Sequence, residues 1–179
     1  PHMTKAMVRP GSANPLRHSP ALGAAMALQG VDLAAIVHHG APGCTFLGKV
    51  LLTKHFREPV ALATTKLLVE NVVLGSEENL ESTIEGFIEK NAPDVIGVLT
   101  SGLCEVKGDD VKTAVVSLQS AVDSQGKGTR IVHVSTPDYE GGLEQGYARA
   151  VEAIIRSAEC GVRSAEGKTI NILAGSHLT

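Results

Sequence analysis

The residues best equipped for chemistry lie in one short stretch, His38-His39-Gly40-Ala41-Pro42-Gly43-Cys44. Its glycines let the backbone turn tightly and come close to a bulky ligand. Thr45 to Phe56 has helical character, so Cys44 falls at or near the first turn of a helix. Free N–H groups and the helix dipole at that position favour thiolate, the form that binds iron. A small buried cysteine closing a strand-to-helix turn has the same signature, and spacing alone leaves both readings open. His38 and His39 have no second cysteine or carboxylate at the spacing of a zinc site, which favours hydrogen-bonded structural histidines. A second stretch, Thr100-Ser101-Gly102-Leu103-Cys104-Glu105-Val106-Lys107-Gly108-Asp109-Asp110, offers hydroxyls, a glycine and a helix start, suited to an anion or a partner contact. It lacks the spacing of a phosphate loop. Asp109 and Asp110 read as helix-capping residues rather than a catalytic pair, because neighbours on a helix do not share a face. Cys104 reads as a loop residue and Cys160 as a packing cysteine. The stretch from Ser135 to Gly142 is a turn without a nucleophile–base pairing. Neither a G-x-S-x-G elbow nor a G-x-G-x-x-G fingerprint occurs.

These stretches need elements to hold them. Leu33 to Val37, Val60 to Ala63, Asp94 to Thr100, Arg130 to Val134 and Thr169 to Leu173 are short apolar runs that read as buried strands. Between them lie amphipathic segments. Ser76-Glu77-Glu78 reads as a helix start followed by a stripe of Leu80, Ile84, Phe87 and Ile88. A second stripe runs through Val111, Ala114, Val115, Leu118 and Val122, and a third through Leu143, Tyr147, Val151, Ile154 and Ile155. Ser101 to Gly108 reads as a loop. The alternation implies a Rossmann-like α/β domain, a mostly parallel sheet with helices on both faces. Functional loops should then gather at the carboxyl ends of the strands: His38 to Cys44, Thr64 to Gly75, Thr100 to Asp109 and Ser135 to Gly142.

Composition narrows the function classes. The 179 residues carry a net charge of -3 and no Lys/Arg run, against the basic face a nucleic-acid binder needs. Aromatic residues make up 3% of the chain, so its core must be aliphatic. No apolar run is long enough to span a membrane, and no secretory signal pattern is present. Three cysteines are too few for a disulfide scaffold, so the reducing cytoplasm is the expected compartment. Residues 1–3 read as a tag remnant and 4–179 as one α/β domain. The stop soon after Thr169 to Leu173 suggests the N-terminal part of a longer subunit.

Taken in order, these segments resemble the nitrogenase component 1 superfamily. The matching stretches run from Asn14-Pro15-Leu16 to Gly23-Ala24-Ala25, through His39-Gly40 with Gly43-Cys44-Thr45, to His55-Phe56-Arg57-Glu58-Pro59. Gly75 with Glu78-Asn79-Leu80 follows, then Thr100-Ser101-Gly102-Leu103 with Glu105 and Gly108-Asp109-Asp110. Thr136-Pro137-Asp138, Gly146-Tyr147 and Asn171-Ile172-Leu173 with Gly175 to Thr179 complete the set. In that superfamily a catalytic β subunit supplies three cysteines to a large iron–sulfur cluster. By resemblance they would fall at Cys44, at Leu62 and at Gly102, so this chain keeps one. One retained cysteine resembles the assembly-scaffold subunits of the superfamily. His38, Ala41 and Pro42 depart from the family's usual loop, and Cys104 stands where cysteine is not usual.

The resemblance implies a role and partners. Cys44 would be one ligand of a four-iron ([4Fe-4S]) cluster, the other three coming from a NifE-type subunit in an α2β2 heterotetramer. That complex would hold an iron–molybdenum cofactor precursor, receive an Fe protein reductase, and pass the cofactor to dinitrogenase. Gly43, Thr45, Ser101, Gly102 and Cys104 would form the loop at the cluster or partner. Such a subunit is a non-catalytic scaffold, and Cys44 should stand accessible beside an apolar partner surface. The alternatives are a catalytic β-type subunit of a dinitrogenase or protochlorophyllide reductase-like complex, and a small-molecule-binding domain with Cys44 buried for packing.

Overall fold

Aliphatic residues dominate Ala34–His39 (β1), Leu62–Thr64 (β2), Val95–Thr100 (β3) and Arg130–Ser135 (β4). A computed structural model, describing residues 18–68 and 76–159, pairs them into a parallel sheet of order β2-β1-β3-β4. The helices are Pro20–Gln29 (α1), Pro42–His55 (α2), Glu77–Asn91 (α3), Gly102–Lys107 (α4), Val111–Ser124 (α5) and Leu143–Glu159 (α6). Side chains alternate across a strand, so each central strand feeds two cores. Ile36, Leu62, Leu99, Val132 and Val134 pack with Leu28 of α1, Leu52 of α2 and Ala150 of α6. Ala35, Val37, Ile96, Val98 and Ile131 pack with Leu80, Ile84 and Ile88 of α3 and Val111, Val115 and Val122 of α5. Helices therefore cover both faces, as the alternating pattern implied. No helix among the described residues is long and apolar enough to cross a membrane.

Several boundaries differ from the sequence expectation. β1 starts at Ala34 because Leu33 has φ +50° and is 59% exposed, outside the sheet. It continues through both histidines, with His38 opposite Leu99 and His39 opposite Thr100 of β3. β2 is shorter than expected and shifted towards Thr64. α2 begins at Pro42, where proline's fixed φ suits the first helical position and its missing N–H costs nothing. The stretch from Ser101 to Gly108 is not a loop: residues 102–107 form α4, closed by Gly108 at φ +81°. α1 had no counterpart in the sequence reading. It is started by Ser19, whose Oγ accepts from the Leu22 N–H at 3.3 Å, with Pro20 in its first turn. Outside the described residues lie Cys160, the strand expected over Thr169 to Leu173, residues 69–75 of one expected loop, residues 1–3 and Asn14-Pro15-Leu16.

α1 and α6 approach backbone to backbone. A Cβ on Gly23 would meet the Leu143 carbonyl, and one on Gly146 would meet the Pro20 carbonyl. By contrast, a Cβ on Gly86 in α3 would meet nothing within 4 Å. The two helical glycines should therefore respond oppositely to the same change. Gly86→Ala should gain about 0.5–1 kcal/mol from helix propensity, while Gly146→Ala should lose roughly 1–3 kcal/mol to overpacking. Urea midpoints at unchanged slope measure both, and a stabilised Gly146→Ala would contradict the packing described here.

Candidate functional site

The order β2-β1-β3-β4 sends the chain from β1 to one side of the sheet and from β3 to the other. Their following segments diverge and leave a crevice at the carboxyl ends, where doubly wound sheets bind ligands. A cleft of about 330 Å³ opens there. His38, Cys44 and Thr45 border it from the β1–α2 side, Ser101 and Gly102 from the β3–α4 side, and Asp138 from beyond β4. Leu47, Leu51, Leu62 and Leu103 give it an apolar lining.

Cys44 is the third residue of α2 and is exposed. The helix-capping residue, Ala41, has no polar side chain to cap with, and Pro42 has no N–H, so the N–H groups of the first turn have no acceptor within the helix. The turn is fixed from below. Thr45 is buried, and its Oγ1 hydrogen-bonds His38 Nδ1 at 2.7 Å. Cys44 thus stands on the outer side of a turn whose inner side is anchored to β1. Phe46 (67% exposed), Leu47 and Leu51 continue the surface away from it, matching the expected accessible cysteine beside an apolar face. Gly43 has open space around it, whereas Gly40 is the glycine the turn requires. A Cβ there would fall 2.8 Å from Ser101 Cβ and 2.9 Å from the His38 ring. The Gly40 carbonyl also accepts from Thr64 Oγ1 at 3.0 Å and the Leu67 N–H at 3.1 Å.

Across the crevice, α4 is sewn to β1. The His39 carbonyl accepts from the Ser101 N–H at 3.1 Å and from the Cys104 thiol at 2.9 Å. Ser101 Oγ lies 3.2 Å from Cys104 Sγ. Cys104 is therefore not the loop residue expected. It is a helical residue, 1% exposed, with its thiol turned into the fold. Glu105 accepts from Thr100 Oγ1 and from Ser135 Oγ, each at 2.6 Å, tying the ends of β3 and β4. Asp110 caps α5 as expected, accepting from the Thr113 N–H at 3.1 Å. Asp109 does not cap. It accepts from Ser76 Oγ at 2.8 Å and pairs with Lys107 at 2.9 Å.

Burial sets the electrostatics of the strand ends. It lowers the His38 imidazole to about 4, aided by the adjacent His39 and opposed by Asp138. It lowers His39 also to about 4, with Asp109 pulling it up and Lys107 down. Both rings are neutral at physiological pH. Burial pushes the Cys104 thiol up, so it is protonated, as its donation to the His39 carbonyl requires. Burial alone would raise Glu105, but the Ser135 and Thr100 hydroxyls bring its carboxyl below the ordinary value.

The structure thus gathers Cys44, Thr45, Ser101 and Gly102 around one cleft, with Gly43 beside it, and keeps Cys104 inside the fold. Leu62 and Gly102, where the resemblance puts the other two cysteines of a catalytic subunit, line this same cleft. A side chain at Gly102 would run into Asp138 Oδ1. Sequence reasoning missed the Glu105 tie and the Asp138 wall. The first had a local signal in the Thr100 to Glu105 spacing, and the second had none.

The nitrogenase component 1 type oxidoreductase family matches residues 19–179. Among curated relatives, the nitrogenase iron-molybdenum cofactor biosynthesis protein NifN of Rippkaea orientalis is 42% identical over 147 residues, covering 82% of this chain and 32% of the relative. The NifN protein of Nostoc sp. is 38% identical over 169 residues, covering 94% and 37%. Among solved structures, nitrogenase Cp1 at pH 6.5 superposes with a TM-score of 0.74 at 29% identity, covering 81% of this chain and 31% of that one. The chain spans about a third of the length of the curated relatives it matches.

Acid should loosen the strand ends. Folded-state values below the unfolded 6.5 mean that the unfolded chain binds the extra protons, so stability rises with pH across the window. The contribution is complete above about pH 6.5 and is lost as pH falls towards 4. His38→Gln should flatten the profile by on the order of 1–3 kcal/mol between pH 7 and pH 4.5. Urea midpoints across that range decide it, and an unchanged slope in the variant would show that His38 titrates normally in the fold.

Proposed function

The chain belongs to the nitrogenase component 1 type oxidoreductase family, and from that premise we propose that it is the cluster-proximal domain of a scaffold subunit for iron–molybdenum cofactor assembly, with Cys44 as its one iron ligand. The observation that carries this reading is the composition of the cleft. The three positions where the resemblance puts cysteines of a catalytic β subunit all line it, and only Cys44 offers a thiol while Leu62 and Gly102 offer none.

The donor set fits an iron–sulfur cluster as a one-quarter contribution. A cubane takes one thiolate per iron. Cys44 is exposed on an apolar face, and the other described cysteine is buried inside the fold. Three further thiolates must then come from outside the described residues, and a NifE-type subunit is the proposed source. When bound, the cluster supplies electron transfer. This chain's part is to present one sulfur in fixed orientation. The His38–Thr45 bond anchors the first turn, Gly40 seats it against Ser101, and Leu47, Leu51 and Leu103 offer apolar surface that a partner would cover, excluding water from the sulfur.

The same reading places the subunit in an α2β2 complex that holds the cofactor precursor, exchanges electrons with an Fe protein reductase and delivers to dinitrogenase. Support for it comes from the NifN relatives and from the missing thiols at 62 and 102. A catalytic β-type role would need ligands supplied by other parts of the subunit or by its partner.

Purified anaerobically with its partner, the full-length subunit should carry about four iron atoms per interface beyond those of the precursor. Cys44→Ala should remove most of that iron and change the electron paramagnetic resonance of the reduced complex, while the subunits remain associated. Unaltered iron content and spectra in the variant would reject Cys44 as a ligand.

A further inference from the structure

We propose that His39, Cys104 and Asp109 form a second, separate metal site that takes a single divalent cation of the zinc class. One ring nitrogen of His39, Cys104 Sγ and one carboxylate oxygen of Asp109 all lie within 4.8 Å of one another. They come from the end of β1, the first turn of α4 and the link between α4 and α5, so no linear motif announces them. His39 follows His38 in the strand and therefore faces the other core, towards α3 and α5 rather than towards α2. The cluster is thus distinct from the Cys44 cleft.

Two independent features point to a ligand. The first is chemical: neutral imidazole nitrogen, sulfur and carboxylate oxygen are the donor types zinc takes. Three protein donors with one position left for water is the pattern of an open zinc site. Bond lengths to zinc would set the donor separations at roughly 3.3–3.8 Å, so the observed spread closes with about an ångström of side-chain movement. The second is an orphaned polar atom. His39 is 1% exposed, and its Nδ1 has no hydrogen-bond partner among the described residues. Buried polar nitrogens are nearly always satisfied, and an unpaired one on the imidazole that lies with a thiol and a carboxylate has a natural partner in a cation.

The resting arrangement also shows how the site would be held closed. The Lys107 ammonium lies 2.9 Å from Asp109 Oδ1, and Ser76 Oγ donates to Oδ2 at 2.8 Å. Cation entry displaces Lys107, which is already partly exposed. The Cys104 thiol gives its proton to water as the sulfur–metal bond forms, and its hydrogen bond to the His39 carbonyl is lost. Ser101 Oγ, 3.2 Å from Sγ, then donates to the thiolate. One thiolate and one carboxylate balance the two positive charges, with the imidazole neutral.

Cobalt(II) is the probe, because a thiolate ligand gives it a near-ultraviolet charge-transfer band. Titrated anaerobically into the metal-stripped full chain, it should bind with one such band per chain. That band should vanish in Cys104→Ser, require at least tenfold more cobalt in Asp109→Asn, and persist in Cys44→Ala. Zinc should displace the cobalt and raise Tm, and Asp109→Asn should remove that rise. Asp109 lies outside the hydrophobic core, so this variant reads the site even where Cys104→Ser folds poorly. A parent chain without the band, a band that survives in Cys104→Ser, or a band that disappears in Cys44→Ala would each overturn the site. Loss or survival of the Cys44-dependent iron bears only on the cofactor-assembly reading and leaves this result independent.

Discussion

The carboxyl end of the sheet is organised by the position of β1, hydrogen-bonded to β2 on one edge and β3 on the other. A strand held on both edges cannot rotate, so its last two side chains are committed to opposite faces. His38 reaches the α2 turn through Thr45, and His39 is delivered to the α4 side, where its carbonyl receives both the Ser101 N–H and the Cys104 thiol. One rigid strand end therefore fixes the segments on both sides of the crevice, and the exposed thiol inherits its orientation from a core it does not enter.

What could be read from the sequence divides by the kind of signal involved. The α3, α5 and α6 stripes were legible because one face of each is buried and the other wet, which produces a period. The Ala- and Gly-rich α1 lacks that contrast, since Gly23, Ala24, Ala25, Ala27 and Leu28 are all buried, and only its Ser19-Pro20 start marks it. α4 is under two turns long, too short for periodicity to show, so Cys104 reads as a loop residue rather than as core. The strand through His38 and His39 defeats an apolar-run criterion because imidazoles replace aliphatic side chains at its end. Leu33 failed it the other way, an apolar residue whose left-handed backbone puts it in water.

The candidate site was legible only in part. Chemistry-bearing residues near one another in sequence, such as Gly43, Cys44 and Thr45, could be grouped without coordinates. Convergence of Cys44, Leu62 and Gly102 depends on which strands are neighbours, and composition carries no record of that. The family resemblance supplied those three positions, and the fold explains why they belong together: each lies in or just beyond one of three adjacent strands, where the sheet order reverses.

Asp138 makes the space at position 102 conditional on a neighbouring side chain. Its carboxylate occupies the space that any side chain at Gly102 would enter. Asp138 is exposed and the contact is with the far end of its side chain, so a residue with a Cβ at position 102 needs a different Asp138 rotamer rather than a different backbone. The two positions are therefore coupled chiefly through one side chain. The width of the cleft on this side is set by a rotamer, so it can adjust without any change in the sheet that carries it.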